Sequence, residues 1–534
     1  MERRFYDFFT NEVAQRAGLL SSDGNTDPVI TGLEYDSRKV KKGNLFFALS
    51  GLHTDGNLYI DDAVANGASV IIHENKREEK NKDVIYIRVT NSRFAMSPVS
   101  AAFYDYPSRR MLVTGVTGTE GKSSTVYLIW QLLTLMGKKA GFFSTVQQCF
   151  GDEVLWNSEH QTTPEAPVVQ RLLREMADNG CEYAVVEASS HGLSKRTNRL
   201  GDVEFSSAVL TNLTHDHLEF HGTWEQYRYD KANLFRALDN YTSSEKSSFS
   251  GPFGVINADD KSMQYFIDVA HHKTFTFSAA GRYADIVLKA IESNAWGNWY
   301  LTFIPALNEY VEMRDKLPGA YNSGNVLAAI LVVSELLKLS AKGIAPFVKK
   351  LKPVKGRMTY IHKGQPFEVI VDFAHTPSSF QAALSPLRSR LNKTGGRIIC
   401  LFGSAGERDV QKRPEQGKIA ANYSDIIVLT DEDPRGENPM DILEEIALGC
   451  NTEAEPDDKI TDTDNHRLFT RDENLFLIPD RPAAIRKALS MACKGDLVIL
   501  LGKGHENSII YADRTMPFDE ITETEKALDE MGYS

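Results

Sequence analysis

The chain has 534 residues, which is too long for a single hydrophobic core and predicts about three domains. Its formal net charge of −12 argues against a nucleic-acid binder, because proteins that bind phosphate backbones present basic surfaces. A hydrophobic content of 42% with 25% charged residues is ordinary for a globular protein, and a locally basic pocket can still hold a small anionic substrate.

Cysteine usage and hydropathy indicate the cellular compartment. The five cysteines are scattered without a CxxC pair, which argues against a zinc site or a disulfide framework and fits a reducing cytosol. The N-terminal segment carries acidic residues and lacks the continuous apolar core of a signal peptide, and no apolar stretch reaches the length of a membrane span. We therefore expect a cytoplasmic protein without a membrane span, and we expect a monomer.

Residues 1–109 form the first predicted block, in which short strands and helices alternate. The run 44–49 predicts a strand and the run 61–66 predicts a helix. The turn-forming sequence Tyr106-Pro107-Ser108 closes this block. The mixture of short strands and helices predicts a small α/β domain.

A glycine-rich loop opens the second block, residues 110–353. The run Gly115 to Ser124 follows a short apolar stretch and precedes apolar residues at helical spacing, from Val126 to Met136. Glycines let backbone N–H groups approach phosphate oxygens, the helix N-terminus adds partial positive charge, and Lys122 adds a full charge. In such loops the hydroxyl of the residue at Ser123 binds Mg²⁺. The sequence therefore predicts a loop that binds ATP.

Two further strands of the second block end in side chains that can bind a metal ion. The strand at 183–186 leads into Glu187, and the strand at 207–210 leads into a polar run that ends at His217. A carboxylate and a histidine beside a phosphate loop are candidate Mg²⁺ ligands, because Mg²⁺ there takes few protein groups besides phosphate oxygens. Lys231, considered alone, is predicted to be a solvated helix lysine.

The third block, residues 354–534, repeats the alternation of strands and helices. Its strands are predicted at 368–371, 397–402, 426–429 and 496–501. Both later blocks are therefore predicted to be α/β sheets with covered faces. Two polar stretches are predicted to be a surface loop and an exposed acidic insertion: residues 241–251 and 451–474.

Short motifs extend over almost the whole chain, and their order and spacing matter more than any one of them. They are Tyr35-Asp36-Ser37-Arg38, Gly118 to Ser123, Thr162-Thr163-Pro164, Glu187 to His191, Thr211-Asn212-Leu213, Asp216-His217, Asp230-Lys231, Gly319 to Asn322, Gly356-Arg357-Met358, Asp372 to Pro377, Gly406 to Asp409 and Gly502 to Glu506. This series resembles the Mur ligases, ATP-dependent amide-bond-forming enzymes of peptidoglycan precursor synthesis. Arg408-Asp409 and the Gly502 run resemble the branch that adds a diamino acid to UDP-N-acetylmuramoyl-L-alanyl-D-glutamate.

The resemblance implies an α/β protein of three domains in the bacterial cytosol. Residues 1–109 would be a small α/β domain that binds the UDP-substrate. Residues 110–353 would be a central ATPase domain with a phosphate loop and a mostly parallel sheet. Residues 354–534 would be a Rossmann-like ligase domain that binds the amino acid. The partners implied are the UDP-N-acetylmuramoyl-dipeptide and a free diamino acid, without nucleic acid.

Carried over position by position, the resemblance assigns roles to residues of this sequence. Catalysis falls to Lys122, Glu187, His217 and Lys231. ATP binding falls to Gly118, Thr119, Gly121, Lys122, Ser123, Ser124, Asn325, Arg357, Asp372 and His375. Binding of the UDP-substrate falls to Ser37, Arg38, Thr162, Thr163, Ser189 and Arg199. Binding of the amino acid falls to Arg408, Asp433, Arg435, Gly502 and Glu506. The implied Mg²⁺ ligands are Ser123, Glu187, His217 and Lys231.

The role implied for Lys231 reverses its interpretation as a solvated lysine. The family carbamylates this lysine with CO₂, which replaces a cation by a carboxylate-like anion and makes a position near Mg²⁺ reasonable. The implied cofactors are therefore ATP, Mg²⁺ and a CO₂-derived carbamate on Lys231.

Two departures from the family pattern bear on the substrates. Glu120 stands where the family has asparagine, and its carboxylate repels polyphosphate unless it turns outward or joins a metal shell. Diaminopimelate-adding enzymes carry Asp-Asn-Pro-Arg, whereas this chain has Glu432-Asp433-Pro434-Arg435. The extra negative charge of Asp433 suits the terminal ammonium of lysine or ornithine, which we expect over meso-diaminopimelate. The retained Arg435 favours meso-diaminopimelate, because a guanidinium pairs well with a second carboxylate.

The implied chemistry has two steps. The D-glutamyl carboxylate attacks the γ-phosphate of ATP, and the amine of the amino acid then attacks the acyl phosphate and releases phosphate. Closure of the third domain over ATP is the expected gate. The alternatives are a ligase resembling folylpolyglutamate synthase and a non-catalytic assembly subunit with the same fold. A general phosphate-loop motor or switch leaves the third block unexplained.

Overall fold

The chain folds into two compact units, Met1–Lys352 and Pro353–Ser534. The described residues contain three larger sheets, two in the first unit and one in the second. The predicted domain boundaries after residues 109 and 353 stay predictions. The computed structural model describes residues 1–24, 26–51, 55–77, 81–157, 161–214, 218–242, 249–294, 297–450, 471 and 473–534.

The first sheet lies in the N-terminal part of the first unit. Its described strands follow the order β2-β7-β6-β5-β4, with β4 to β7 parallel and β2 antiparallel. The strand predicted at 44–49 and the helix predicted at 61–66 are confirmed as β5 and α3. The strands are β1 (Arg3–Arg4), β2 (Leu19–Asp23), β3 (Val29–Ile30), β4 (Gly32–Glu34), β5 (Asn44–Phe47), β6 (Val70–His73) and β7 (Ile85–Val89). The helices are α1 (Phe5–Phe8), α2 (Asn11–Arg16), α3 (Ile60–Ala65) and α4 (Ser92–Phe103).

A sheet of 11 described strands forms the centre of the first unit. The strands are β8 (Leu112–Thr117), β9 (Ala140–Phe143), β10 (Gln147–Cys149), β11 (Val154–Trp156), β12 (Tyr183–Glu187), β13 (Ser207–Leu210), β14 (Phe253–Asn257), β15 (Lys273–Ser278), β16 (Ile286–Asn294), β17 (Gly297–Ile304) and β18 (Glu309–Arg314). The helices are α5 (Lys122–Leu135), α6 (Ala166–Asp178), α7 (Ser190–Leu193), α8 (Leu218–His221), α9 (Trp224–Arg236), α10 (Met263–Val269), α11 (Asn322–Leu337) and α12 (Ala341–Val348).

The middle of this sheet is parallel and buried, as the continuous apolar runs predict. The order is β11-β10-β9-β12-β8-β13-β14-β15-β16-β17-β18, and the strands from β9 to β16 in that order are parallel. Strands β8, β12 and β13 are buried throughout, because helices cover both faces of the sheet. The phosphate loop follows β8, so it opens at the carboxyl edge of the sheet between two parallel neighbours.

Antiparallel strands at both edges of the central sheet were not predicted. Strands β10 and β11 pair as a hairpin, and β17 pairs with β16 on one side and β18 on the other. Buried and exposed positions alternate along strand β18, which is typical of a strand with one face packed on the core and the other exposed to solvent. Short alternating strands of this kind have weaker apolar runs than the buried parallel strands, so the sequence pattern did not distinguish them.

The second unit contains the third sheet, with described strands in the order β19-β20-β24-β21-β22-β23. All of its pairs are parallel except β19 with β20, and apolar clusters fill both faces, as predicted. The strands are β19 (Thr359–Ile361), β20 (Glu368–Asp372), β21 (Ile398–Phe402), β22 (Ile426–Leu429), β23 (Leu475–Leu477), β24 (Leu497–Leu501), β25 (Ser508–Ile510) and β26 (Thr515–Pro517). The helices are α13 (Pro377–Leu391), α14 (Lys412–Tyr423), α15 (Pro439–Cys450), α16 (Arg481–Ser490) and α17 (Glu520–Glu530).

The predicted fold class, an α/β protein with a mostly parallel central sheet and a further α/β sheet in the C-terminal block, is therefore confirmed. Most of the predicted acidic insertion, 451–470 and 472, lies outside the described residues, as do 243–248 of the predicted surface loop. Within the part of the chain that the structure describes, no helix combines the length and the apolar character needed to cross a membrane.

Candidate active site

The phosphate loop between β8 and α5 requires glycine at two positions. Gly118 has a φ of 150° and Gly121 a φ of 79°, both in the region that side chains disfavour. A Cβ at Gly118 would stand 1.9 Å from Oγ1 of Thr211, and one at Gly121 would stand 2.6 Å from Oδ1 of Asn325. Helix α5 begins at Lys122, directly after the loop, so its first turn supplies N–H groups that have no helical acceptor.

The segment after β13 fixes the backbone of the loop. Thr119 N–H donates to the carbonyl of Asn212 at 2.9 Å, and Glu120 N–H donates to Asn212 Oδ1 at 2.9 Å. Thr211 Oγ1 in turn donates to the carbonyl of Glu120 at 2.6 Å. Glu120 itself is exposed, so solvent screens the repulsion between its carboxylate and a bound phosphate.

Glu187 connects the loop helix with the neighbouring strand. It ends β12, opposite Val116 of β8, and is 1% exposed. Ser123 Oγ donates to Glu187 Oε2 at 2.9 Å, and the backbone N–H and hydroxyl of Thr145 donate to the same carboxylate at 2.8 and 3.0 Å. Lys122 Nζ donates to the carbonyl of Thr119 at 2.8 Å within the loop. The structure thus brings the predicted hydroxyl, carboxylate and ammonium together.

Lys231 is buried beside the same loop. Only 2% of it is exposed, so the prediction of a solvated helix lysine from its position alone was wrong. Its Nζ donates to the carbonyl of Gly118 at 2.6 Å and lies 4.7 Å from the ring centre of Tyr227. The Tyr227 hydroxyl pairs with Thr119 Oγ1 at 3.0 Å, so α9 contacts the phosphate loop at two points.

A buried chain of polar groups supports the helix that carries Lys231. His221 Nδ1 pairs with Asp230 Oδ2 at 2.8 Å, and His221 Nε2 pairs with Ser190 Oγ at 3.0 Å. His221 is therefore a buried histidine with a hydrogen-bond partner at each ring nitrogen. His215 and the predicted metal ligand His217 lie outside the described residues.

Four of the six residues predicted to hold the UDP-substrate lie close to Glu187. Thr163 Oγ1 donates to the carbonyl of Glu187 at 2.9 Å and accepts from Ser189 N–H at 3.0 Å. Arg199 Nη1 donates to the carbonyl of Thr163 at 2.8 Å. Thr162 is half-buried on the same segment. These side chains form one wall beside the phosphate loop.

The other two predicted substrate residues lie in the short 3-10 helix Ser37–Lys39, which follows β4 of the N-terminal sheet. Ser37 is buried, whereas Arg38 is exposed and donates to both oxygens of Asp36 at 2.9 and 2.8 Å, which holds the pKa of that carboxyl below its ordinary value. A cavity of about 470 Å³ opens beside this segment, and Tyr35, Asp36 and Arg171 of α6 are among its lining residues. The cavity provides space at the predicted UDP end.

Asn325 of α11 completes the phosphate-loop region. Its Oδ1 accepts from Thr125 Oγ1 of α5 at 3.2 Å, and its Nδ2 donates to Asn322 Oδ1 at 2.9 Å. Ser124 is half-buried in the first turn of α5. The asparagine that the sequence assigned to ATP is thus packed against the loop helix.

The remaining predicted ATP residues form a group in the second unit. Asp372 Oδ2 accepts from Met358 N–H at 2.7 Å, and burial raises the pKa of this carboxyl while Arg357 opposes the rise. The Arg357 guanidinium lies 4.6 Å from the ring centre of Phe373. His375 Nδ1 pairs with the carbonyl of Phe373 at 2.9 Å. The stacked guanidinium and the aromatic ring offer a planar surface for a nucleoside.

Two of the predicted amino-acid-binding residues, Asp433 and Glu506, lie in a charged group with Glu432 and Lys503, here called the acidic cluster. Lys503 Nζ donates to Asp433 Oδ1 at 2.9 Å and to Glu506 Oε2 at 2.5 Å. Burial lowers the pKa of Lys503, but the two carboxylates outweigh it and the pKa is raised. The charge of Asp433 is therefore paired with Lys503 within the protein, and its role towards a substrate ammonium stays a prediction. Arg408 is exposed.

Glu432 is the member of the cluster that the sequence did not assign. It is 7% exposed, and its Oε2 has no hydrogen-bond partner among the described residues. Burial raises its pKa to about 7, and Glu506 adds to the rise. A Cβ at Gly502 would stand 3.1 Å from this oxygen. The only sequence signal was its place in the run that contains Asp433. Arg435 is half-buried, and its buried Nε also lacks a partner among the described residues.

The residues around the loop fit Mg²⁺ with a nucleotide. In the described ranges, no three His, Cys, Asp or Glu side chains gather into a metal-binding group. The Ser123 hydroxyl and the Glu187 carboxylate are nevertheless adjacent at 2.9 Å, and oxygen ligands of these two kinds suit Mg²⁺ that also binds phosphate.

Comparison with known protein families matches three consecutive segments of the chain. Residues 29–104 match the model of the Mur ligase family catalytic domain. Residues 116–333 match the Mur ligase middle domain, and residues 356–504 match the Mur ligase glutamate ligase domain. The matches cover the N-terminal sheet, the phosphate-loop region and the third sheet.

Full-length relatives agree with these matches. A UDP-N-acetylmuramyl-tripeptide synthetase of Treponema denticola is 50% identical over 528 residues and covers 95% of each chain. A UDP-N-acetylmuramoyl-L-alanyl-D-glutamate–2,6-diaminopimelate ligase of Clostridium tetani is 34% identical and covers 97% of this chain and 99% of that protein. A solved structure of a ligase with that last name has a TM-score of 0.59 at 27% identity and covers 95% of this chain and 96% of its own. The chain therefore belongs to the Mur ligase family of ATP-dependent acid–amino-acid ligases.

Proposed function

We propose that this protein joins a diamino acid, L-lysine or L-ornithine, to the D-glutamyl carboxylate of UDP-N-acetylmuramoyl-L-alanyl-D-glutamate. The observation that carries the proposal is the convergence of Ser123, Glu187 and Lys231 on one phosphate loop. The names of the relatives support the choice of UDP-substrate. The reaction belongs to peptidoglycan precursor synthesis.

The phosphate-loop residues serve the first step of the proposed reaction. The substrate carboxylate attacks the γ-phosphorus of ATP, ADP leaves, and an acyl phosphate forms. Lys122 and the N–H groups of α5 stabilise the negative charge that moves between the phosphates. Mg²⁺, when bound, supplies further charge neutralisation, and Ser123 and Glu187 are the residues proposed to hold it together with His217.

Lys231 is proposed to act as a carbamate formed with CO₂. Its position supports this role, because the ε-amino group is buried within hydrogen-bond distance of the loop that holds the phosphates. A carbamate there presents oxygen atoms in place of an ammonium, as a site for Mg²⁺ requires.

Thr162, Thr163, Ser189 and Arg199 are proposed to hold the muramoyl-dipeptide, and Ser37 and Arg38 the UDP end. The hydrogen bonds that join Thr163 to Glu187 and to Ser189 support this assignment, because they fix the substrate wall directly beside the phosphate loop. The substrate carboxylate then approaches the γ-phosphate in a fixed orientation, which is the main catalytic contribution expected of such a wall.

The second step transfers the acyl group to the amine of the incoming amino acid. The amine forms the new C–N bond, and inorganic phosphate leaves as the C–O bond breaks. Arg408 is proposed to hold the α-carboxylate, and the acidic cluster beside Gly502 is proposed to hold the distal ammonium. The cluster contains three carboxylates for one buried lysine, and this excess of negative charge favours lysine or ornithine. The Nε of Arg435, which has no hydrogen-bond partner in the described part of the chain, favours meso-diaminopimelate.

The proposal is tested by phosphate release from ATP with UDP-N-acetylmuramoyl-L-alanyl-D-glutamate and one amino acid at a time. Lysine, ornithine and meso-diaminopimelate are offered separately, with Mg²⁺ and bicarbonate present. We expect release with lysine or ornithine. Release with meso-diaminopimelate alone contradicts the amino-acid choice, and silence with all three from folded protein contradicts the proposed function. Release with a folate acceptor instead supports the alternative ligase.

A further inference from the structure

A buried carboxylate, Asp315, lies in the loop between β18 and α11, outside every motif that the sequence singled out. It is 6% exposed, and its oxygens accept hydrogen bonds from two elements. Asn298 at the start of β17 donates from its N–H at 3.2 Å and from Nδ2 at 2.9 Å. Leu317 N–H donates at 2.9 Å, and the buried hydroxyl of Tyr300 donates to the other oxygen. Asp315 therefore joins the hairpin to the loop that precedes α11.

The same loop continues as a chain of hydrogen bonds towards α11. Asn298 Nδ2 also donates to the carbonyl of Leu317 at 3.0 Å. The next residue, Pro318, accepts at its carbonyl from Asn322 Nδ2 at 2.7 Å. Asn322 is the first residue of α11, so the loop sets where this helix begins.

The chain of contacts ends at the phosphate loop. Asn322 Oδ1 accepts from Asn325 Nδ2 at 2.9 Å, and Asn325 Oδ1 accepts from Thr125 of α5. A Cβ at Gly121 would stand 2.6 Å from that same oxygen, so the amide lies against the loop backbone. A displacement of the Asp315 loop therefore moves the asparagine that contacts the loop and its helix.

Stability alone does not explain a carboxylate at this position. Burial raises the pKa of Asp315 to about 6, and hydrogen bonds from neutral donors are what oppose the rise. An ionised carboxylate buried in this way loses its hydration, which costs free energy that an apolar side chain at the same position would not cost. A carboxylate does offer acceptors in several directions at once, which is what the fixed geometry of a loop requires.

We propose that Asp315 is a positioning residue for the nucleotide site. It fixes the loop from Asp315 to Tyr321 so that Asn322 and Asn325 hold the phosphate loop and the first turns of α5 in the geometry that binds ATP. The inference rests on the proposed function, which gives Asn325 its contact with the nucleotide.

The test measures the Kd of ADP with Mg²⁺ by titration calorimetry, together with the KM for ATP. We expect Asp315→Ala to raise both by about 10-fold, with kcat at saturating ATP within about 3-fold of the parent, because the chemistry itself is untouched. Asp315→Asn should restore most of the affinity, since its amide oxygen accepts from the same donors and its NH₂ donates to Tyr300. The matched control is Tyr310→Phe, which removes a hydroxyl from an exposed tyrosine of β18.

If Asp315→Ala does not fold, a second variant tests whether this loop positions the nucleotide site. Asn298→Ala removes the two bonds made by Nδ2 but leaves the carboxylate in place, and we expect it to raise the Kd of ADP by about 3-fold. Folded variants that melt at lower temperature yet bind ADP like the parent overturn the inference and leave Asp315 a purely structural residue. A parent protein that does not bind ADP contradicts the proposed function itself, so the two failures are distinguishable.

Discussion

The phosphate loop of the first unit and the acidic cluster of the second are built in different ways. At the phosphate loop, backbone geometry decides the site: two glycines adopt conformations that side chains disfavour, and neighbouring strands supply hydrogen bonds to the peptide groups. In the acidic cluster, side-chain charges decide the site, and burial sets their protonation. Glu432 and Lys503 are both buried, and the pKa of each is raised for a different reason. Desolvation raises the pKa of Glu432, whereas at Lys503 desolvation lowers the pKa and the two carboxylates together outweigh it.

The difference explains which of the two sites can change its substrate. A loop fixed by its backbone binds the phosphates common to every ATP-dependent ligase, and few substitutions are compatible with it. A cluster of opposed charges responds to each single substitution, because removal of one partner leaves the other unpaired. We therefore expect large losses of activity from changes at the loop and altered selectivity from changes in the cluster.

The largest effect is expected from Lys231→Ala. If a carbamate on Lys231 serves the site, its removal should reduce ligation by more than about 1,000-fold, measured as phosphate release with bicarbonate present. Lys195→Ala is the control, since it removes an exposed lysine near the same helix. Near-normal turnover of Lys231→Ala would falsify the carbamate role. Catalysis at the phosphate loop would then not require the Lys231 side chain.

Gly118→Ala should follow, with a loss of about 100-fold in kcat/KM for ATP. The added methyl group meets Thr211 Oγ1 at 1.9 Å, and the φ of 150° disfavours any side chain. Gly137→Ala is the matched control, because Gly137 has a φ of 76° but nothing within 4 Å of an added Cβ. Equal losses of kcat/KM in the two variants would mean that strain at a positive φ is sufficient to explain the loss. The close contact of the added methyl group with Thr211 would then not be needed to explain it.

Asp433→Asn should change selectivity more than rate. Loss of this carboxylate leaves Lys503 with Glu506 as its remaining partner in the cluster, and the released positive charge suits a distal carboxylate. We expect the ratio of kcat/KM for meso-diaminopimelate over lysine to rise by about 10-fold. Asp513→Asn, at an exposed position, is the control. An unchanged ratio would mean that the charge of Asp433 does not affect the binding or the reaction of the amino acid.

Glu432→Gln should alter the pH dependence of stability. The pKa of Glu432 is raised from 4.5 to about 7 in the folded chain, so the folded state binds the proton more tightly than the unfolded state. The free energy of unfolding therefore falls as pH rises from about 4.5 to about 7, by at most about 3 kcal/mol. The variant should lack this fall and melt a few degrees above the parent at pH 8.

The measurement for Glu432→Gln is the melting temperature of the intact chain at pH 5 and pH 8, by calorimetry. The control is Glu525→Gln, an exposed position of α17. If parent and variant lose the same stability between these two pH values, Glu432 does not titrate in this range. The evidence that side-chain charges determine the properties of the acidic cluster, in contrast to the phosphate loop, would then be weaker.

The arrangement of the phosphate loop could be predicted almost completely from local sequence. Gly118, Gly121, Lys122 and Ser123 are adjacent in the chain, so their geometry follows from a strand, a tight turn and a helix start. Glu187 was predicted because a carboxylate after an apolar run stands at the carboxyl end of a parallel strand. Residues of the loop that are close in the sequence are also close in space, and Glu187, 64 residues from Ser123, joins them because neighbouring parallel strands end at the same edge of the sheet.

Three features could not be predicted in this way: the burial of Lys231, the partner of Asp433, and the absence of a partner for Glu432 Oε2 among the described residues. Asp433 and Lys503 are 70 residues apart, and they meet because β22 and β24 end at the same edge of one sheet. Asp315 was missed for the same reason, since its partners lie on a hairpin whose short strands give a weak pattern.

The sequence by itself determined the fold class, the phosphate loop and the family, because each depends on residue types at short, fixed spacing. The tertiary structure alone decided which charges are paired and which groups are buried. Protonation and pairing depend on desolvation and on contacts between residues far apart in the chain, and only the folded chain brings those residues together.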